Sequence, residues 1–355
     1  MNAVWQNALR YHRPLLAAAA VYCEVVLAEA AYAGAQAADF VTLLRYIVMS
    51  FTAIGIFVAG MYAGAGVAFL LTAPKGTALQ RLDVATRKYL GGEKFASMCL
   101  GFVVLATGNF FLLSKSLIAS VNPLRRMGWD LDFAAWDKWL HFGSYPHQYI
   151  IPLVNRLNLG LFLDRTYYGW LVVTTLVAWY CIFADTRLHR RLRFLWVYFL
   201  SWALLGTLAA TVFSSAGPVF YATFLKDAGN PYEFITVNMR GLHQQSALFA
   251  DTARRLLLRW HENSTLFDPN AIAAMPSMHI ALCWLFVLYA REFGKIQFLA
   301  ALAFCAVIFT GAVYFGFHYA IDGYVSIIAV SLLWWGMGKY LDRHYPRQLE
   351  LRASQ

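Results

Sequence analysis

The chain has 355 residues, 60% of them hydrophobic and 17% aromatic but only 14% charged, and its mean hydropathy is +0.52. That composition excludes an ordinary soluble domain, and apolar runs near the length of a bilayer span recur throughout. The net charge of +10 matches a basic cytoplasmic face and gives no ground for a nucleic-acid partner.

Hydropathy places spans at about 14–35, 47–72, 96–117, 167–184, 194–213, 276–291, 296–317 and 322–340. The expectation is an all-α, polytopic membrane helical bundle of about eight transmembrane helices, with both termini on one side. The segments on that side carry 17 of the 29 Lys and Arg, among them Arg81, Arg87, Lys88, Arg190 and Arg191. The positive-inside rule then puts both termini in the cytoplasm, whether the membrane is a plasma or an inner membrane.

In chain order, "LLAAAAVYCEVVLAEAAYAGA" ends in small residues as a signal cleavage region does, but Glu24 interrupts its apolar part, so it reads as an uncleaved first span. Glu24 is expected to pair with a polar group between helices. Cys23, Cys99, Cys181, Cys283 and Cys305 all fall in predicted spans, without disulfide or metal spacing. In "WDLDFAAWDKWLHF", Trp129, Phe133, Trp136 and Leu140 make one apolar stripe, with Asp130, Asp137, Lys138 and His141 elsewhere. That pattern predicts a helix lying in the membrane interface. The segment from Ser214 to Met275 opens with "SSAGPVFY" and is a long external loop, a kind more often functional than idle.

That loop delivers the chain into "AMPSMHIAL", where Pro276, Ser277 and His279 crowd the start of an apolar run. Proline suits the first position of a helix, and free N–H groups at such a terminus suit a phosphate. The seventh span ends in "YFGFHYAIDGY". On a helix, His318 and Asp322 would share a face one turn apart, so the carboxylate could accept the imidazole Nδ1–H and fix the tautomer. An antiparallel hairpin returns His318 to the external face that bears His279. Two histidines and an aspartate thus meet at one membrane surface.

These two motifs resemble the second and third signatures of the type-2 phosphatidic acid phosphatase superfamily, which includes vanadium haloperoxidases. "HYAID" is most similar to the branch of inositol phosphorylceramide and sphingomyelin synthases. The resemblance implies a six-helix catalytic core over 96–341, with an external interfacial segment 121–166 and the external loop 214–275. Two additional spans and a basic cytoplasmic loop (1–95) precede it, and a cytoplasmic tail (342–355) follows. It implies His318 as the nucleophile forming a phosphohistidine, Asp322 as its orienter, His279 as general acid and Ser277 as a phosphate contact, with no metal and no cofactor. Two signature cations are missing: the lysine followed by Arg-Pro, and the arginine six residues before the nucleophile, where Ala312 stands. Phosphoryl transfer needs charge stabilisation, and Lys226, Arg240, Arg254 and Arg255 are the loop cations available, Arg240 first among them.

The expected activity is transfer of a phospho-head group from a phospholipid to a lipid or polyol hydroxyl. The alternative is hydrolysis of a lipid phosphate or polyprenyl pyrophosphate with the same residues. A transporter or scaffold without chemistry fits less well, because the ionisable groups gather at one face instead of at mid-membrane. A metal site on His279, His318 and Asp322 would rest on residue identity alone.

Overall fold

The computed structural model describes residues 3–32, 93–108, 110–111, 128–226, 229–263 and 272–345, with scattered helical residues between 40 and 80. The described residues form helices and connecting turns. They are α1 (Ala3–Tyr32), α2 (Glu93–Ala106), α3 (Trp129–Leu140), α4 (Pro146–Arg156), α5 (Gly160–Trp179), α6 (Leu188–Leu200), α7 (Glu233–Gln245), α8 (Phe249–Asn263), α9 (Met278–Ala290), α10 (Lys295–Tyr314) and α11 (Ala320–His344). Helices α5 and α6 each continue through a π-helical stretch, Tyr180–Ala184 and Ser201–Ala209.

Five helical stretches among these residues are long and apolar enough to cross a membrane: Leu9–Tyr32, Gly160–Ala184, Leu188–Val212, Lys295–Tyr314 and Ala320–His344. Phe95–Ala106 and Met278–Ala290 are shorter apolar helices. The fold is therefore the expected all-α membrane bundle. The expected span 47–72, the basic loop after it and most of the tail lie outside the described residues.

Helix α9 is the axis of the bundle. Ile280–Cys283, Leu285–Val287 and Tyr289 are buried on every side of it, as a helix that is apolar all round requires. Helices α5, α6, α10 and α11 pack around it. Its 13 residues rise only about 20 Å, and the helix sits within the bundle. Lipid is as apolar as leucine, so packing and hydrogen bonds hold such helices together. Trp284 Nε1 donates to Ser331 Oγ at 2.8 Å between α9 and α11. Tyr22 and Thr207 share a hydrogen bond of 2.8 Å between α1 and α6. Glu24 makes no such bond among the described residues; it is exposed on α1.

The long segment 214–275 is largely helical. Helices α7 and α8 pack against each other in it, and Asp164 of α5 accepts the Phe249 and Ala250 N–H groups at 3.0 and 2.8 Å, holding the start of α8. Amphipathic patterning, with Ile235 and Met239 turned inward, accounts for helix where length alone suggested loop.

Candidate active site

Helix α9 begins two residues later than its proline suggests. Ser277 is the N-cap, with extended backbone (φ −75°, ψ 109°), and its Oγ accepts the Ile280 N–H at 3.4 Å. Pro276 therefore lies before the cap and outside the helix, because serine is the better capping residue. His279 is the second helical residue, where the N–H groups of the first turn lack intrahelical acceptors. Ser277 itself is fully buried.

His318 does not lie on a helix. It sits in the turn between α10 and α11, and the segment 214–219 holds that turn from behind. Val219 N–H donates to the Gly316 carbonyl at 2.8 Å. Gly217 (φ +90°) comes so close that a Cβ there would stand 2.7 Å from the Phe317 oxygen. Gly316 (φ +70°) would place a Cβ 2.9 Å from Ile235 of α7. Only glycine fits both the dihedrals and the approach at these two positions. The "SSAGPVFY" stretch is thus the platform on which the histidine turn rests.

The two histidines meet. His318 Nε2 and His279 Nδ1 are 3.3 Å apart, and the rings cross at 64°. His318 Nδ1 lies 2.7 Å from the Ala274 carbonyl oxygen. A carbonyl can only accept, so Nδ1 carries the proton and the lone pair of the neutral ring is on Nε2. That partner differs from the one the sequence suggested. Asp322 Oδ2 is 3.4 Å from Nδ1 and accepts the Tyr319 N–H at 3.0 Å. The reason is local: the i,i+4 argument needs both residues in one helix, and α11 starts only at Ala320. Asp322 remains in ion-pair range of the ring, fully buried, with Oδ1 lacking a hydrogen-bond partner among the described residues.

Helix α5 supplies the walls. Tyr167 stacks on His279 at 4.6 Å and 16°, and Trp170 lies 4.4 Å from the same ring at 40°. The Tyr167 hydroxyl is buried without a hydrogen-bond partner among the described residues.

Helix α3 supplies what the sequence reading missed. Its apolar stripe was expected to face lipid with the aspartates turned away, yet its buried residues are Asp130, Phe133, Ala134 and Asp137. Trp136 and Leu140 are exposed. Asp130 accepts the N–H groups of Ala216 and Gly217 at 2.7 and 2.9 Å and the Tyr319 hydroxyl at 2.8 Å. Asp137 accepts those of Ala320 and Ile321 at 3.1 and 2.9 Å, at the head of α11. Burial pushes both carboxyls above the usual carboxylate range, against the donors that favour the charged form. The seven-residue spacing put them on one face; the signal that could have found them was that Phe133 shares it.

The loop cations are not gathered here. Arg254 and Arg255 pair with Asp251 at 3.0 and 3.1 Å. Lys226 and Arg240 are exposed, and no hydrogen bond or ion pair joins Arg240 to the histidines. Ala312 is fully buried and lends its carbonyl to the His318 N–H at 3.3 Å. Among the described residues no group of three His, Cys, Asp or Glu side chains converges as a metal site would.

A helical membrane bundle with paired histidines at one end defines a membrane protein with a candidate nucleophile and acid in contact. Residues 131–336, more than half of the chain, match the model of the PAP2 superfamily. The chain belongs to that superfamily, whose members are generally phosphatases or phosphotransferases. No curated protein and no solved structure gives a match.

Proposed function

We propose that the chain is a lipid phosphotransferase of the kind represented by inositol phosphorylceramide and sphingomyelin synthases. It would take a phospho-head group from a phospholipid and give it to a lipid or polyol hydroxyl through a phosphohistidine on His318. The observation that carries the reading is the fixed tautomer of His318, with Nε2 presented to His279. The "HYAID" and "SSAGPVFY" stretches favour transfer over hydrolysis.

In the first step the Nε2 lone pair attacks phosphorus, and the bond from phosphorus to the leaving lipid oxygen breaks. His279 gives that oxygen its proton. The incoming phosphoryl group replaces the 3.3 Å contact between the rings, so docking parts them and leaves the His279 N–H facing the group. The phosphoryl oxygens meet the backbone N–H groups at the start of α9, where the helix dipole favours an anion. Ser277 contributes its O–H while its oxygen serves as the cap. Positive charge developing on the His318 ring is shared with the Ala274 carbonyl and the Asp322 carboxylate. In the second step the acceptor hydroxyl gives its proton to His279 and attacks phosphorus, and the phosphorus–nitrogen bond breaks. The charge distribution supports cytoplasmic termini and a site at the external face.

The test is product analysis with purified protein and a labelled phospholipid, with and without ceramide or diacylglycerol. A new phospholipid formed only with acceptor, and acid-labile, base-stable label on the protein after a brief quench, are expected. Release of the phosphorylated head group or of inorganic phosphate irrespective of acceptor assigns hydrolysis instead. Label persisting in His318→Ala would refute the nucleophile.

A further inference from the structure

Near the histidine turn lies an open cleft of about 500 Å³, between the end of α4, the start of α5 and one face of α7. We propose that it binds an uncharged polyhydroxylated group, the sugar or polyol part of a lipid headgroup or of a soluble acceptor. Asn155, Asn158, Asn238 and Gln245 line it, with Phe234 and Leu161 as apolar wall, and none of its lining residues is charged. A carboxamide offers both donors and an acceptor, as a hydroxyl does. A wall of carboxamides with an apolar flank matches the alternating hydroxyl and C–H faces of a polyol. A phosphate or a quaternary ammonium would need charge or an aromatic cage, and the cleft has neither.

The amides are preset. Tyr314 donates to Asn155 Oδ1 at 2.7 Å, and Asn155 Nδ2 donates to Asn238 Oδ1 at 2.7 Å. Asn158 holds a left-handed conformation (φ +53°) at the turn between α4 and α5, one that asparagine tolerates better than most residues. The cleft is also tied to the chemistry. Tyr314 ends α10 four residues before His318, and α7 touches that turn through Ile235 while facing the cleft through Asn238 and Gly241. A headgroup seated here would lie near the nucleophile's turn; that role rests on the phosphotransfer reading, whereas binding itself does not.

Gly241 supplies the decisive variant. It lines the cleft and has no atom within 4 Å of a built Cβ, so the Cβ of Gly241→Leu has open space, its longer side chain extends into the cleft, and leucine suits a helix better than glycine. Binding is measured on His318→Ala protein, in which turnover plays no part, by calorimetry. The probes are a free cyclic polyol, inorganic phosphate, and nanodiscs of a phospholipid with a polyol or a choline headgroup. Saturable binding of the free polyol identifies a soluble acceptor, and binding only of the polyol lipid identifies a headgroup. Either is expected to weaken at least tenfold in Gly241→Leu and in Asn158→Gly, which keeps the backbone and removes one amide. Equal binding of phosphate or the choline lipid, no polyol binding in either form, or polyol binding unchanged in both variants overturns the proposal. If Gly241→Leu does not yield folded protein, Asn158→Gly decides alone. Wild-type protein that binds the polyol yet transfers no head group to any acceptor would refute the phosphotransfer reading and leave this site standing.

Discussion

The two ends of the bundle are both rich in polar groups, yet they are built differently. At the end opposite the histidines, Asp185 is fully buried and fully partnered. Arg190 reaches both its oxygens at 2.7 Å, Tyr289 donates at 2.7 Å and the Arg187 N–H at 3.0 Å. At the histidine end, Asp322 Oδ1 and the Tyr167 and Ser214 hydroxyls are buried without hydrogen-bond partners among the described residues. Buried polar groups are normally satisfied, and the exceptions call for explanation. The closed network is a fastening. In the proposed function the open one receives the ligand, whose polar groups supply the missing partners.

The sharpest break of that comparison is chemical. His318→Ala should reduce turnover by at least about 10⁴-fold, since it removes the attacking atom of the proposed reaction, and His279→Ala by roughly 10²- to 10⁴-fold. Both variants should unfold near the wild-type temperature, as judged by a thermal melt in detergent. A His318→Ala protein that melts early and retains activity would place that residue among the fastenings.

Asp185→Ala should do the reverse. It leaves the half-buried Arg190 without its carboxylate, and breaking a fully buried pair costs about 3–5 kcal/mol, so the loss here lies toward the low end of that range. Expression and melting temperature should fall steeply, while kcat per folded molecule changes less than twofold. A selective loss of kcat would mean that the two ends are coupled through α9.

A smaller effect separates groups within the histidine end itself. His147 on α4 is buried between Tyr145 and Tyr232, at ring distances of 5.9 and 5.2 Å. Burial holds its pKa down at about 4. A depressed imidazole favours the neutral form in the folded state, so its stabilising contribution is complete above the ordinary value near 6.5 and is lost as pH falls toward 4. The melting temperature should therefore drop across that window, and His147→Phe should flatten the drop. An unchanged slope would assign the acid sensitivity to other groups.

Legibility differed between regions for physical reasons. The histidine pair could be read because an apolar span tolerates few polar residues, so each one was conspicuous and the hairpin fixed their common face. The bundle could be read for the same reason. The aspartates of α3 could not, because an interfacial helix has polar and apolar surroundings on both sides, and carboxylates facing inward look like carboxylates facing water. The same ambiguity hid the helices of 214–275. The Ala274 carbonyl could not be read beside Asp322, because the sequence carries spacing but does not mark where a helix begins, and a start at Ala320 lets the His318 ring meet that carbonyl at 2.7 Å while Asp322 stays at 3.4 Å.

Asp137 tests that lesson with the smallest effect. Its oxygens hold two N–H groups at the head of α11, two residues past His318, so it is a positioning residue for the turn. Asp137→Asn keeps one acceptor oxygen but turns an amino group toward a backbone N–H, which should cost about 1 kcal/mol. The sign of its pH dependence follows from burial. A carboxyl pushed above its unfolded value binds its proton more tightly in the folded state, so its contribution is complete below the unfolded pKa and declines as pH rises through the folded one. Asparagine does not titrate. The gap in melting temperature between wild type and Asp137→Asn should therefore be widest in acid and narrow toward neutrality. If Asp137 positions the turn, kcat should fall severalfold with little change in KM, and Asp137→Glu should not restore it unless its longer side chain reaches both N–H groups. A gap that instead widens with pH would mean that the two N–H donors outweigh burial, making α3 a charged clamp on α11.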